Sequence, residues 1–322
     1  MRSALLTAVA LATSLIAMGL EAQEFPSKPL HLVVPYPPGG GTDATARTLA
    51  VPLSASLKQS VVVENRAGSS GMIGTDFVAK AAPDGYTLVV FTDTNTIAPA
   101  LYSNLTHDPI KDFEPIAQLG FGPLVIFAHP SLSVASLPEL IEHARLNPAL
   151  LSYASPGNGS AQHLAFEMLK LATKIDVKHI PYKGGGQALN DVVAGHVPLG
   201  ILGLSAALPQ IKLGRIKPLA VTGRSRSLAL PQVTTVAETA VPNFEAVQWF
   251  AIMAPRGTPS GIVGRLHSEI SKALREPAVQ DRMASLGLET TPERTPKELA
   301  TFLSDDLRRW PPIVKSAGIK LD

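Results

Sequence analysis

One local order recurs along most of this chain: a short apolar run, a glycine loop, then a helical stretch. It first occurs at residues 32–47, LVVPYPPGGGTDATAR, where Leu32–Val34 gives way to prolines, three glycines and a helix start near Thr42. It returns as Ser152–Ala154, the loop SPGNGS and a helix over 161–172, then as Val177–Ile180, the loop PYKGGG and a helix over 187–194. Further strands are predicted at 61–63, 86–91, 115–128, 197–202, 218–222 and 244–254, with helices at 74–81, 136–146, 205–213, 259–275, 277–286 and 296–317. A parallel strand pair needs a long crossover, commonly a helix, so this alternation predicts α/β domains on mainly parallel sheets. Within the first helix, 42–58, Ala46, Leu49, Leu53 and Leu57 share a face, and Pro52 is expected to kink it. Ser136 with Glu139 three residues on reads as a helix cap.

The strand order divides the chain. The first units, residues 23–120, are expected to join the C-terminal helices, 250–322, in a discontinuous domain 1, with 121–249 forming domain 2. The two long β runs, 115–128 and 244–254, then serve as crossovers, a two-stranded hinge with a cleft beside it. The 322 residues suffice for two domains and a large core.

Charge excludes some partners. With 28 Lys and Arg against 26 Asp and Glu, the excess of +2 is too small for nucleic-acid or anionic-membrane binding by bulk attraction. The N-terminus, MRSALLTAVALATSLIAMGLEAQ, has Arg2, an uncharged apolar run from Ala4 to Leu20, and small Ala22 as a cleavage position. Residues 1–22 therefore read as a cleaved signal peptide. The chain has no cysteine, which rules out disulfides, thiolate metal sites and a Cys nucleophile. No other long uncharged apolar segment follows, so the mature chain is expected to be released, in a bacterium to the periplasm.

The chemistry concentrates in three glycine loops: Gly39–Asp43, Ser155–Gln162 and Tyr182–Gln187. Glycines admit a ligand to the backbone, and the free N–H groups of a helix's first turn favour an anion. Such loops collect at the carboxyl ends of strands, where open α/β sheets bind ligands. GGGTD is not a G-x-G-x-x-G fingerprint, and no phosphate-binding G-x-x-x-x-G-K-[ST] occurs. Ser160 and His163 form a conceivable nucleophile and base, but SPGNGSAQH lacks the G-x-S-x-G elbow, and a Ser there is more simply a cap. The eight histidines are scattered without ligand spacing, so neither a metal nor a cofactor is expected. Asp43 or Thr42 is expected to cap the first helix; Lys183 reads as a solvated lysine; Tyr36, Tyr182 and Trp249 either wall a cleft or pack in the core.

Six stretches, in order, carry a resemblance: PSKPLHLVVPYPPGGGTDATAR, VVVENRAGSSGMIGTDFVAKAAPDGYTL, LSYASPGNGSAQHLAFEML, HIPYKGGGQALNDVVAGHV, PLAVTGRSRSLALPQVTTVAE and WFAIMAPRGTP. From Pro26 to Ile319 the chain resembles the Bug/TctC family, the periplasmic solute-binding receptors of tripartite tricarboxylate transporters. The resemblance implies a two-lobed periplasmic binding protein of type II-like fold, two α/β domains joined by a two-stranded hinge with the ligand cleft between them. It implies a non-enzymatic monomer that takes a small organic carboxylate and hands it to the membrane subunits of a transporter. Family ligands include di- and tricarboxylates, acidic amino acids and aromatic carboxylates, held by backbone N–H groups, hydroxyls and waters. Carried onto this sequence, the contacts fall on Tyr36, Gly39, Gly40, Gly41, Thr42 and Asp43 in one lobe. In the other they fall on Ser155, Gly159, Ser160, Gln162 and His163, with Tyr182 and Gly184. Two segments, TDTNTIA after Phe91 and Leu202–Ser205, lie where members differ and where side chains can enter the cleft. A sensor component for a signalling partner and a serine hydrolase using Ser160 and His163 stand as alternatives.

Overall fold

The computed structural model describes residues 25–319 except 149 and 291–293, so the expected signal peptide lies outside the described residues. The first lobe begins with strand β1 (Leu30–Val34), buried along nearly its whole length because it lies between two parallel neighbours, β2 (Val61–Asn65) and β3 (Thr87–Thr92). Helices α1 (Gly41–Leu57), α2 (Met72–Ala79) and α3 (Asp93–Leu101) follow these strands in turn. α1 runs through Pro52 as one helix. The chain then enters the 16-residue strand β4 (Phe113–Ala128).

The second lobe adds helix α4 (Leu137–Leu146), β5 (Ser152–Ser155), α5 (Ala161–Thr173), β6 (Lys178–Pro181), α6 (Gly185–Val193), β7 (Leu199–Gly203), α7 (Leu204–Lys212), β8 (Lys217–Val221) and the short α8 (Val236–Thr239). Strand β9 (Val247–Pro255) returns the chain to the first lobe, where α9 (Ser260–Arg275), α10 (Pro277–Ser285) and α11 (Pro296–Ala317) complete it. The sheet order is β2-β1-β3-β9-β4-β7-β5-β6, with β8 also on β4. β1, β2 and β3 pair in parallel, as do β5, β6 and β7, whereas β4 and β9 are antiparallel to their neighbours.

β4 and β9 run side by side from Phe113↔Pro255 to Pro123↔Val247. One residue later, Leu124 pairs with Gly203 of β7. This pair of long strands, with two register shifts in β4, connects the lobes.

Alternation along each strand feeds two cores per lobe. In β1, Leu32 and Val34 join Leu49 and Leu53 of α1 and Ile270 of α9, while Val33 faces Val89, Phe91 and Leu303. In β4, Ile126 packs with Tyr153 and Phe166, while Val125 and Phe127 pack with Val192 and Leu208. Trp249 is only 2% exposed, and its indole N–H donates to Asp306 Oδ2 at 3.3 Å, so it is a core residue and not a cleft wall. A fifth cluster, with Ile97 and Leu101 of α3, Leu164 of α5 and Trp310 and Val314 of α11, joins the two lobes behind the cleft.

Candidate functional site

Where the lobes meet, the wall is formed by Tyr36, Gly40, Gly41, Thr42 and Thr94 on one side and Pro156, Ser160, Gln162, Gly185, Leu202, Gly203 and Ala206 on the other. Gln248 of the hinge strand β9 closes the end. Nearly every one of these residues belongs to a strand's end or a helix's first turn. Five helices point their N-termini here: α1 after Gly40, α3 after Thr92, α5 after Ser160, α6 after Gly184 and α7 after Gly203. Each such end carries unsatisfied N–H groups and roughly half a positive elementary charge. Among the described residues, no charged side chain lines the wall. The cavity measures about 30 Å³, because the lobes press together around it.

That closeness is set by glycine. A Cβ on Gly41 would stand 2.2 Å from Ser205 Oγ, one on Gly184 2.5 Å from Pro37 Cδ, and each of these pairs spans the two lobes. Ser70 Oγ reaches across the mouth to donate to the Asn158 carbonyl at 2.7 Å.

The residues singled out by sequence sort into walls and supports. Tyr36, Gly40, Gly41, Thr42, Ser160 and Gln162 line the cleft. Tyr36's hydroxyl lies 3.0 Å from Thr92 Oγ1, and burial pushes its pKa up to about 12, so it stays a neutral phenol. Asp43 is turned the other way. It is not the helix cap, and neither is Thr42: Gly40 holds that position. Asp43's carboxylate instead accepts from Gly39 N–H at 3.1 Å, from Arg47 and from Asn65, bracing the PPGGG loop from behind. Burial pushes that carboxyl up, but these hydrogen bonds outweigh it and hold it below the usual range.

The second loop is braced in a similar way. Ser160 Oγ accepts from His163 N–H at 3.2 Å and donates to the Gly157 carbonyl at 2.8 Å, so it caps α5. His163 Nδ1 accepts from Gly159 N–H at 3.2 Å. The Ser160 hydroxyl and the His163 ring are thus both occupied with backbone, and the pair forms no nucleophile–base hydrogen bond. Ser155 lies beneath the loop, its Oγ 2.7 Å from His179 Nε2. The His163 and His179 rings stack at 4.0 Å and 13°. Burial lowers His163 to about 4; burial and then the neighbouring His163 lower His179 to about 3. Tyr182 leaves the cleft to donate to Asp191, and Lys183 is exposed. Gly184 caps α6 against Pro37.

Pro156 and Gly185 fall inside the glycine loops read from the sequence, and Thr94, Leu202 and Gly203 inside the two variable segments. Ala206 and Gln248 had no sequence signal: Gln248 reaches the cleft only because β9 pairs with β4 at Gly122. Among the described residues, no group of three His, Asp or Glu is placed to hold a metal, and no helix is long and apolar enough to cross a membrane.

The chain is similar to known proteins over most of its length. A family model described as "Tripartite tricarboxylate transporter family receptor" matches residues 45–319. Protein BugT of Bordetella pertussis is 39% identical over 313 residues, covering 97% of this chain and 96% of BugT. The periplasmic binding protein BugD superposes with a TM-score of 0.89 at 35% identity, covering 92% of this chain and 99% of BugD. An R. palustris protein solved with adipate gives 0.89 at 36% identity, covering 92% of this chain and 99% of that one. The chain belongs to the TctC family, the receptors of tripartite tricarboxylate transporters.

Proposed function

We propose that this protein is a periplasmic receptor that closes its lobes over a small organic carboxylate and delivers it to the membrane subunits of a tripartite tricarboxylate-type transporter. The observation that carries this reading is the convergence of five helix N-termini on a cleft that no charged side chain lines among the described residues. A carboxylate leaving water costs several kcal/mol unless its oxygens find donors, and oriented N–H groups supply them without a counter-cation. The adipate-bound relative supports a carboxylate as the ligand class. A cavity of about 30 Å³ has room for little more than a water or two, so a ligand enters when the lobes part and is held when they close.

Tyr36, Gly40, Gly41, Thr42, Ser160 and Gln162 act as direct contacts, with Gly39, Asp43, Ser155, Gly159, His163, Tyr182 and Gly184 shaping the loops. The lobes divide as 23–120 plus 250–322 and 121–249, which the exchange of β4 partners near Pro123 and Leu124 supports. Residues 1–22 are the export signal, the mature chain works as a monomer without nucleic acid, and it releases its ligand chemically unchanged. The engagement of Ser160 and His163 with backbone supports that last point.

A thermal-shift screen of the unfolded and refolded mature chain tests this reading. The panel holds mono-, di- and tricarboxylates and aromatic acids, each beside its neutral amide. At 100 times its dissociation constant a ligand stabilises the fold by about 2.7 kcal/mol. Acids are expected to register and their amides not; silence across all acids, from a folded sample, overturns the assignment.

A further inference from the structure

A second pocket lies outside the cleft, on the first lobe alone. It sits between α9, α10 and the segment that leads into α11, over Ala117 and Gln118 of β4. It shares no residue with the cleft wall, and at about 240 Å³ it is the roomier of the two. We propose that this pocket is a second anion site, which takes a small oxyanion (phosphate, sulfate or a carboxylate) on the Arg294 guanidinium, with Gln118 and Ser271 as further donors. Its chemistry is independent of what the cleft carries.

Helix α9 builds one wall. His267, Ser271, Leu274 and Arg275 recur at helical spacing and share the face turned to the pocket. Glu269 lies on another face, paired with Arg265 and Lys272. The floor is β4, and His267 Nδ1 meets the Ile116 carbonyl at 2.9 Å, which pins wall to floor. Gln118 is only 6% exposed. Its Oε1 accepts from Arg294 Nη1, so the NH2 end is what the carboxamide has left to donate.

Arg294 supplies the charge. It is half-buried, and it meets uncharged groups: the Gln118 oxygen and the Phe302 ring, whose centroid lies 4.4 Å from the guanidinium carbon. Glu298, four residues on, is committed to the cap of α11, its Oε2 accepting from the Thr295 N–H and hydroxyl, both at 2.8 Å. Among the described residues, no acidic side chain lines the pocket. A guanidinium drawn out of water without a counter-charge is costly, and a bound oxyanion supplies that charge. The planar fork of an arginine fits two oxygens of one phosphate, sulfate or carboxylate. Arg275 brings a second guanidinium to the lining, and Ser271, 4% exposed, brings a hydroxyl.

Isothermal titration of the mature chain with inorganic phosphate, sulfate and acetate, at an ionic strength fixed with chloride, tests the site. Saturation by phosphate and sulfate marks a tetrahedral oxyanion as the occupant, and saturation by acetate alone marks a carboxylate. Arg294→Gln is expected to weaken that binding about tenfold or more, as loss of a charge-assisted contact does. Gln280→Glu, on the exposed rim of the pocket, adds a carboxylate without disturbing the core and should weaken it to a similar degree. Gln162→Ala, in the cleft, should leave it unchanged. Circular dichroism checks each fold; if Arg294→Gln does not fold, Gln280→Glu decides alone. Binding unmoved by Gln280→Glu, binding lost instead in Gln162→Ala, or no saturable binding of any of the three anions overturns the inference. None of these outcomes touches the receptor reading, which stands or falls on its own panel of acids.

Discussion

His179 was one scattered histidine in the sequence; in the folded chain it stacks on His163 and holds Ser155 under the binding loop. That pairing depends on β5 and β6 lying in register, with Tyr153 opposite His179, which no local pattern announces. It has a pH consequence whose sign is fixed. Burial lowers both folded-state pKa values, to about 4 for His163 and about 3 for His179, from the unfolded 6.5. Above 6.5 neither state binds these protons. As pH falls below 6.5 the unfolded chain takes them up and the native chain does not, so stability is lost on acidification. Each such histidine contributes at most about 1.4 kcal/mol per pH unit. Asparagine at 179 keeps a hydrogen-bonding group for Ser155 but does not titrate. Thermal melts between pH 7.5 and 5.0, above the range where the carboxylates titrate, should show a shallower fall for His179→Asn than for the natural chain. Parallel slopes would sink this account.

At the scale of elements, the glycine loops were legible because their cause is local: a strand run, a turn that tolerates close approach, then a helix period. Gly40, Gly41, Ser160 and Gln162 fall in loops that this pattern picks out, and they line the cleft. Asp43, read as a helix cap from the pattern and as a ligand contact from the resemblance, braces the loop from behind, because Arg47 one turn later and Asn65 on β2 draw its carboxylate outward. The helix ends at α3 and α7 were placed only as variable segments, since neither begins with a glycine loop of the same kind. Their role emerges when β3 and β7 bring both ends to one cleft. The glycines at these junctions separate folding from closure. Gly41 occupies the first turn of α1, where alanine is intrinsically the better helix former. Its added methyl would stand 2.2 Å from Ser205 Oγ and 3.3 Å from Ser205 Cβ in the opposite lobe, so rotating the hydroxyl away does not fully clear it. Gly41→Ala should therefore melt, without ligand, at or above the natural temperature. Ligand affinity should fall about tenfold or more, given the 1–3 kcal/mol typical of overpacking. Titration calorimetry beside ligand-free melts checks both halves, and tight binding retained in the variant would show that the lobes do not meet at Gly41.

For the whole molecule, affinity depends on how much of the ligand's binding energy is spent in bringing the lobes together. Two contacts hold the mouth of the cleft shut from outside it. Ser70 Oγ donates to the Asn158 carbonyl at 2.7 Å, and the Tyr102 hydroxyl approaches the same oxygen at 3.4 Å. Ser69 and Ser70 both adopt positive φ, 46° and 51°, conformations that non-glycine residues keep only when the surroundings hold them there. The strained turn thus presents a hydroxyl to the tip of the opposite loop. Such a bond contributes about 0.5–1.5 kcal/mol net, and it exists only in the closed form. Removing it shifts the equilibrium toward open lobes without altering the wall that meets the ligand. Ser70→Ala should therefore weaken every ligand by the same factor, roughly two- to tenfold, and through faster release. This signature differs from that of a wall residue such as Gln248, whose substitution should change the ranking of ligands. Stopped-flow binding with two acids of different affinity separates the two: equal ratios of release rates support a latch, whereas a change confined to one acid would place Ser70 among the ligand contacts instead.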